Sequence, residues 1–311
     1  MNFLSIGDLS KLEIEEILKS SLFLYKNPQK ILEGKNIIFA FEKPSLRTKV
    51  ATEAAINKLG GNVIHIEAEN FFEGKILFSD KNGEVPKSRE SLKDTVKNVS
   101  QWCDAIFARV FTHQTLLDIS SFAGIPVVNA LCEKHHPMQA LADLLTIQEI
   151  FGKKKIHLAF VGDANNVAFS LFEILLLFEH QVSFVGPEKY FFSKSDQEYF
   201  QKLAEENKTE ILFTEDPKEG VAGCDIIYTD TFVSMGEENI LEEKMKYFAD
   251  YQVNKSLMKQ AKENAYFMHC LPAHRGVEVT NEVIDGENSL VYEQAKNRMV
   301  SSMGVFSKLL K

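Results

Sequence analysis

An apolar run changes abruptly to glycine, aspartate and asparagine in the sequence Ile156-His157-Leu158-Ala159-Phe160-Val161-Gly162-Asp163-Ala164-Asn165-Asn166. The run 156–161 is typical of a buried strand, and the turn leads through an apolar helical stretch to a second strand at Val182 to Val185. A strand, a turn with glycine, a helix and another strand form a βαβ unit of the Rossmann type. The GxGxxG pattern of dinucleotide-binding proteins is missing from this turn.

The same alternation of strand and helix runs through the rest of the chain. Apolar residues at near-helical spacing between Leu12 and Leu22 predict an amphipathic first helix. We predict strands at Asn36 to Phe41, Val63 to Ile66, Ala105 to Val110, Val127 to Val128, Ile211 to Phe213, Ile226 to Tyr228 and Tyr266 to Met268, and helices at Ser45 to Leu59, Ser91 to Trp102, Gln114 to Ala123 and Val291 to Leu310. Such alternation is typical of parallel sheets covered by helices.

The chain has 311 residues, which is more than one hydrophobic core usually serves, so we expect two domains. The first would comprise residues 1–135, with the C-terminal helix 291–311 packed back on it. The second would comprise residues 136–290. A helix from Pro137 to Ile150 would connect them. The predicted fold class is therefore α/β, with two Rossmann-like parallel-sheet domains, an interdomain helix and a ligand-binding cleft between the domains.

The composition is that of a globular protein, with 45% hydrophobic and 25% charged residues. A net charge of −9 argues against a nucleic-acid partner, because phosphates require a basic surface. The four cysteines form no CxxC pair and lack the dense spacing of a secreted disulfide scaffold, which favours reduced thiols and a cytoplasmic location. No apolar stretch approaches the ~20 residues that span a bilayer, so we expect no membrane partner.

The first candidate site is Ser45-Leu46-Arg47-Thr48, where a predicted strand turns into a helix. Free backbone N–H groups and the positive end of the helix dipole meet there, and both attract anions. Arg47 adds a fork of donors and Thr48 a hydroxyl, which suits the several oxygens of a phosphate. The alternative is an ordinary serine N-cap beside a solvated arginine.

The second candidate site begins at His136, just before the helix that starts at Pro137. Gln139 and Asp143 follow at one and two turns, so both lie on one helix face. Imidazole and amide donors could hold a carbonyl oxygen as its negative charge grows, while Asp143 fixes the groups behind them. A capping role explains His136 nearly as well, but Arg109 at the end of a predicted strand favours the site.

Polar residues also follow the predicted strands of the second half. The pair Asn165-Asn166 could bind the head group of an amino acid, although turn formation explains the pair almost equally well. Asp230 could receive an α-ammonium group, and Ser234 and Met235 would continue that wall. A solvated loop would explain Asp230 but not the apolar residues beside it.

His269-Cys270-Leu271-Pro272 places a thiol next to an imidazole after another strand. The thiol could be a nucleophile, a metal ligand or part of a polar wall. We expect no covalent catalysis. We also expect no metal, because Cys132, His135, His136, His269 and Cys270 show no recognised zinc spacing.

In order and spacing, these polar segments resemble those of the aspartate/ornithine carbamoyltransferase family, and the resemblance extends over nearly the whole chain. The segments Phe41 to Thr48, Arg109 and His136 to Gln139 are similar to its carbamoyl-phosphate motifs. The segments Val161 to Val167, Asp230 to Gly236 and His269 to Gly276 are similar to the ornithine branch.

The resemblance implies the transfer of a carbamoyl group from carbamoyl phosphate to L-ornithine, without metal or organic cofactor, by a homotrimer or an assembly of trimers. By that resemblance Arg109, His136 and Cys270 would be catalytic. Carbamoyl phosphate would be bound by Ser45, Leu46, Arg47, Thr48, Arg109, His136, Gln139, Cys270, Leu271 and Arg298, and ornithine by Asn166, Asp230, Ser234 and Met235.

Two features depart from the family pattern. Lys49 stands where an arginine is usual, so the charge remains but the two-pronged donor geometry is lost. Residues 69–87 are expected to form a longer loop than usual, from which Lys87 would reach a neighbouring subunit's site.

Three rival functions remain open from the sequence. Another amine, such as putrescine or an acylated ornithine, could be the acceptor, although Asp230 favours a free α-amino group. A nucleotide-binding oxidoreductase is disfavoured by the missing glycines of the Gly162 turn. A catalytically silent metabolite-binding subunit would not need every polar group that the reaction requires.

Overall fold

A computed structural model of the chain describes residues 1–72, 78–80, 83–85, 90–233 and 241–310; of residues 69, 78–80, 83–85 and 241 it describes the backbone. The chain divides into two compact units, which we call unit 1 (Met1–Met138 with Arg298–Lys311) and unit 2 (Gln139–Asn297). Both boundaries fall inside helices. The predicted functional domains, 1–135 with 291–311 and 136–290, remain a prediction.

The described strands are β1 (Asn36–Phe41), β2 (Asn62–Ile66), β3 (Phe78–Asp80), β4 (Gly83–Val85), β5 (Ala105–Arg109), β6 (Val127–Leu131), β7 (His157–Val161), β8 (Gln181–Val185), β9 (Ile211–Thr214), β10 (Ile226–Thr229) and β11 (Tyr266–His269). The described α-helices are α1 (Lys11–Lys26), α2 (Leu46–Lys58), α3 (Ala68–Phe71), α4 (Leu92–Val99), α5 (His113–Phe122), α6 (Pro137–Phe151), α7 (Asn166–Leu177), α8 (Lys194–Glu206), α9 (Pro217–Val221), α10 (Leu241–Tyr247), α11 (Lys255–Met258), α12 (Asn281–Ile284) and α13 (Val291–Leu309). Short 3₁₀ turns lie at Ile6–Asp8 and Glu188–Tyr190.

Unit 1 contains a parallel sheet in the order β2-β1-β5-β6. Its core packs Ile38, Ala40, Ile106 and Ala108 of the central strands against helix residues such as Leu116. The C-terminal part of α13 lies against α1 at Gly304, where a β-carbon would collide with Ser21 and with the carbonyl of Ile17. Glycine is therefore required for this close helix contact.

Unit 2 contains a second parallel sheet in the order β11-β10-β7-β8-β9. The strand order reverses beside β7, which is where open α/β sheets bind ligands at the carboxyl ends of their strands. Helix α7 is buried from Val167 to Leu176, as its nearly continuous apolar sequence predicts. The expected α/β class with two parallel sheets is confirmed.

The prediction of one long loop over residues 69–87 is partly wrong. Helix α3 ends at Phe71, and β3 pairs with β4 as an antiparallel hairpin. Phe71 is fully buried and contributes to the unit 1 core, which explains why this polar stretch forms a helical turn. Lys87 lies outside the described residues, so its expected role remains a prediction. None of the described helices is long and apolar enough to cross a membrane.

The amino ends of β7 and β10 are joined through Asp225, a carboxylate that is 5% exposed. It accepts hydrogen bonds from Lys262 at 2.8 Å, from the backbone N–H of His157 at 3.0 Å and from Lys154 at 3.1 Å. Burial acts to raise the pKa of Asp225, but these hydrogen bonds outweigh it and lower the pKa below its usual value. The ionised carboxylate therefore stabilises the fold.

We expect Asp225→Asn to lower the free energy of unfolding at neutral pH by about 1–3 kcal/mol, because a charged hydrogen-bond network is lost. A lowered carboxyl pKa stabilises the fold fully above the unfolded value of about 3.9, and that stability is lost as the pH falls further. The difference between wild type and variant should therefore shrink below about pH 4, as measured by urea denaturation. Asp285→Asn, which breaks an exposed pair with Arg275, is the matched control and should have a much smaller effect.

Candidate active site

The first candidate site, Ser45 to Thr48, lies at the start of α2, shortly after the carboxyl end of β1. Ser45 is the N-cap: its Oγ accepts the Thr48 N–H at 3.4 Å and donates to Thr48 Oγ1 at 3.0 Å. Arg47 is half-buried. The Leu46 side chain is 76% exposed, so the backbone N–H is the group of Leu46 that could bind an anion at this helix end. The capping and anion-binding interpretations are compatible, since both use the same helix end.

Arg298 of α13 reaches this helix end within unit 1. Its Nη2 donates a hydrogen bond of 2.7 Å to Thr48 Oγ1. Thr48 is 1% exposed and Arg298 is 7% exposed, so the guanidinium is held at a nearly buried hydroxyl. The structure thus brings together two residues that are 250 positions apart in the chain and that the sequence placed in one site.

Positive charges are concentrated around His136 and Lys43 in unit 1. Burial, followed by the charges of Arg298 and Arg109, holds the pKa of the His136 imidazole well below its usual value, so the ring is neutral. Burial and then Arg109 also lower the pKa of Lys43, which the sequence analysis had missed. Such crowding of like charges is what an anion-binding site requires. The short interval between Lys43 and Ser45 was the signal that could have identified this lysine.

Asp230 follows β10 in unit 2 and is 7% exposed. Its Oδ2 accepts a hydrogen bond of 2.9 Å from Asn165 Nδ2, and its Oδ1 accepts one of 3.1 Å from the Cys270 thiol. Asn165 also caps α7 by accepting the N–H groups of Val167 and Ala168. The sequence analysis named the pair Asn165-Asn166, and the family resemblance selected Asn166, which is the partly exposed first residue of α7. Ser234 and Met235 lie outside the described residues.

The Asp143 carboxylate of α6 is fully buried and accepts the Gln139 amide at 2.8 Å, one helical turn away. Two further donors, Gln294 at 2.8 Å and the Tyr228 hydroxyl at 3.1 Å, contact the same carboxylate. The sequence analysis predicted the supporting role of Asp143 but missed both of these partners. Tyr228 was concealed because a tyrosine at the end of an apolar strand looks like a core residue.

The turn after β11 is ordered by its own imidazole. His269 Nδ1 accepts the Leu271 N–H at 2.8 Å, so the ring proton resides on Nε2, which lies 3.3 Å from Glu278 Oε1. Both His269 and Glu278 are fully buried. This arrangement fixes the backbone that carries Cys270 and Leu271.

One group in the described part of the chain has the ligand types of a metal site. Ligand atoms of Asp230, His269 and Cys270 lie within 4.8 Å of one another. Both ring nitrogens of His269 are already hydrogen-bonded, and the Cys270 thiol donates to Asp230, so a metal would have to displace these bonds. The expectation of a reaction without metal or cofactor remains a prediction.

A buried ion pair lies at the turn that follows the carboxyl end of β7 in unit 2. Lys244 of α10 is 2% exposed, and its ammonium lies 2.7 Å from Asp163 Oδ2 and 5.3 Å from the ring centre of Tyr190. Asp163 belongs to the turn that carries Asn165. Helix α10 is thereby attached to the turn whose asparagine holds Asp230.

Two family models match the chain, one over each half. The carbamoyl-phosphate-binding domain model of the aspartate/ornithine carbamoyltransferases matches residues 1–149, and the aspartate/ornithine-binding domain model matches residues 154–309. These matches define the class of enzyme as a carbamoyltransferase. The chain belongs to the aspartate/ornithine carbamoyltransferase family.

Individual relatives match over almost their full length. The ornithine carbamoyltransferase of Shewanella oneidensis is 40% identical over 99% of both chains, and that of Anoxybacillus flavithermus is 38% identical over 99% of this chain and 96% of its own. Among solved structures, ornithine carbamoyltransferase from Pyrococcus furiosus is 37% identical in sequence, with a TM-score of 0.90 over 99% of this chain and 96% of its own.

We expect the His136 imidazole to remain neutral as the pH falls from about 8 to about 6, because burial and two arginines oppose its protonation. Below about pH 6.5 the unfolded chain then binds more protons than the folded one. The contribution of this group to the free energy of unfolding is therefore complete above that pH and decreases as the pH falls below it. Nitrogen-15 NMR of the histidine-labelled protein measures this, with His136→Gln assigning the resonance. A midpoint at or above the usual histidine value would contradict the expectation.

Proposed function

We propose that this chain transfers the carbamoyl group of carbamoyl phosphate to the side-chain amine of L-ornithine and releases L-citrulline and phosphate. The observation that carries the proposal is the convergence of Arg109, Arg298, Lys43 and a neutral His136 in unit 1. This donor set suits an anion with a polarised carbonyl, and the family membership supports the same chemistry. The transfer requires the residues of both units to act on one pair of substrates, as predicted from the sequence.

Carbamoyl phosphate is proposed to bind by its phosphate at the start of α2, through Ser45, the Leu46 N–H, Arg47 and Thr48, with Arg298 beside Thr48. Arg109, His136 and Thr48 would donate to the carbonyl oxygen, whose negative charge grows in the transition state. A neutral His136 serves as a hydrogen-bond donor without adding another charge to the crowded cations. Gln139, Cys270 and Leu271 would hold the carbamoyl amide.

Ornithine is proposed to bind with its α-ammonium group at Asp230, with Asn166, Ser234 and Met235 around the rest of the amino-acid head. The unprotonated side-chain amine then attacks the carbonyl carbon and forms the new N–C bond. The C–O bond to phosphate breaks, and its electron pair leaves with the phosphate. The attacking nitrogen loses one proton, which the phosphate or water accepts. Orientation and electrostatics supply the rate, so Cys270 lines the site without forming a covalent bond.

A different amine is the second candidate acceptor. An acylated ornithine has no α-ammonium group for Asp230, whereas putrescine keeps that amine and lacks the carboxylate. The carboxylate of Asp230 is nearly buried and held by Asn165 and Cys270, which favours a cationic group at this point. Asp230 therefore favours ornithine over an acylated ornithine, and the names of the relatives favour ornithine over putrescine.

We further propose a homotrimer or an assembly of trimers, a cytoplasmic location and a role in arginine biosynthesis. Leu46 and Val50, one turn apart on α2, are 76% and 55% exposed, which is unusual for adjacent apolar side chains on a helix and suits burial against another copy of the chain. Sedimentation of the purified protein measures the assembly.

A citrulline-release assay with carbamoyl phosphate and a panel of amines tests the acceptor. We expect turnover with L-ornithine and a loss of at least about 10²-fold with N-acetylornithine, because acylation removes the ammonium partner of Asp230. Putrescine keeps that ammonium and lacks the carboxylate, so its turnover reports on the groups proposed to hold the rest of the amino-acid head. Asp230→Asn should raise the KM for ornithine more than it lowers kcat. Equal turnover of L-ornithine and N-acetylornithine would contradict the assignment of Asp230.

Arg109→Ala should lower kcat by about 10²–10³-fold, since a charged donor to the developing oxyanion is removed. Circular dichroism and the thermal transition should show a folded protein. The control is Arg275→Ala, which removes an exposed arginine paired with Asp285 and should leave turnover unchanged. Kinetics of Arg109→Ala like those of the wild type would contradict its catalytic role.

A further inference from the structure

Unit 2 holds a buried polar network around one carboxylate. Asp143 is fully buried, and its two oxygens accept hydrogen bonds from Gln139, Gln294 and Tyr228. These three donors are themselves at most 1% exposed. Replacing a buried charge network of this size with apolar side chains is often neutral or stabilising for a fold, so its presence is weak evidence for a purely structural role.

The network connects two parts of the proposed site. Gln139, which the proposed function assigns to carbamoyl phosphate, lies one turn before Asp143 on α6. Gln294 on α13 donates to Asp143 and accepts the backbone N–H of His269 at 2.9 Å. His269 is the residue before Cys270. One carboxylate thus orients both the amide on α6 and the turn after β11.

The orientation of the Gln294 amide is determined by these two neighbours. Its NH₂ group must face the carboxylate of Asp143, and its oxygen must face the His269 N–H, because the opposite orientation would place two acceptors and two donors against each other. A side chain at this position that lacked either a hydrogen-bond donor or an acceptor could not connect Asp143 to the turn after β11. The network is therefore directional.

Tyr228 completes the network from β10. Its hydroxyl lies 3.1 Å from Asp143 Oδ2, and its ring stacks on Phe160 at a centroid distance of 5.5 Å. Burial, followed by the charges of Asp143, Cys270 and Asp230, raises the pKa of Tyr228 well above its usual value. The hydroxyl is therefore a permanent donor. Two of these residues, Asp230 and Cys270, are the carboxylate and the thiol proposed to face the substrates, so Tyr228 lies near the proposed site.

We propose that Tyr228 and Gln294 are positioning residues, which act through Asp143 to hold the Gln139 amide and the His269–Cys270 turn in the geometry that carbamoyl transfer requires. This inference rests on the proposed function and deepens it. Neither residue needs to touch a substrate. Their contribution is the orientation of groups that do, and small errors of orientation lower the rate strongly.

Tyr228→Phe tests the proposal, because it removes one hydroxyl and leaves the stacked ring. We expect kcat for citrulline formation to fall about tenfold or more. The KM values for both substrates should change less than about threefold, since the contacts to substrate remain. Gln294→Met should have a comparable or larger effect. Because both residues act through Asp143, the losses in the double variant should be smaller than the product of the single losses.

The matched control is Tyr199→Phe. The Tyr199 hydroxyl donates a 2.9 Å hydrogen bond to Glu173, another carboxylate that is 5% exposed, and neither residue belongs to the proposed site. Both variants lose one tyrosine–carboxylate bond in the same unit; because Tyr199 is 40% exposed and Tyr228 is fully buried, the thermal transition should fall less in Tyr199→Phe. Tyr199→Phe should keep the turnover of the wild type. Equal kcat values for Tyr228→Phe and Tyr199→Phe, or independent effects in the double variant, would overturn the proposal.

Failure of the proposed function is recognised separately. Wild-type protein that forms no citrulline but carbamoylates another amine would contradict the choice of ornithine. The Tyr228 and Tyr199 variants would then be compared with that amine, and a selective loss in Tyr228→Phe would still support the positioning role. Loss in neither variant would reject the positioning role whatever the acceptor.

Discussion

The direction of the strands is the constraint on which the candidate site depends. All neighbouring strands in the main sheet of each unit are parallel, so their carboxyl ends lie at one edge of that sheet. In unit 1 the polar groups follow β1 and end β5. In unit 2 they follow β7, β10 and β11. Residues that are distant in the chain become neighbours within each unit because the strands that precede them share a direction.

The candidate site residues of unit 1 and those of unit 2 differ in charge. In unit 1, burial and then neighbouring arginines lower the pKa values of His136 and Lys43, whereas unit 2 presents Asp230 with its hydrogen bonds made by neutral donors. Repulsion among buried cations is relieved by an anion, and a carboxylate held by an amide and a thiol still attracts a cation. The charges therefore suit an anion on unit 1 and a cation on unit 2.

Periodicity predicted much of the fold, because strand and helix patterns are local. The strand at Asn36 to Phe41 has the predicted bounds, and Ser45 is the N-cap at the predicted start of α2. The helical turn at Phe71 was missed because its burial depends on distant core residues. Partners were harder to predict than motifs: Asp143 stands out on a helix face, but nothing local indicates that Tyr228 and Gln294 donate to it. Long-range hydrogen bonds depend on the tertiary structure.

One turn of unit 2 holds two separate groups: Asn165 donates to Asp230, and Asp163 pairs with Lys244. A substitution in residues 163–165 therefore acts on both at once. Loss of the Asp163 carboxylate removes a partner of a nearly buried ammonium group, and loss of the Asn165 amide removes one of the donors that hold Asp230. This turn consequently tolerates substitution less well than an ordinary surface turn.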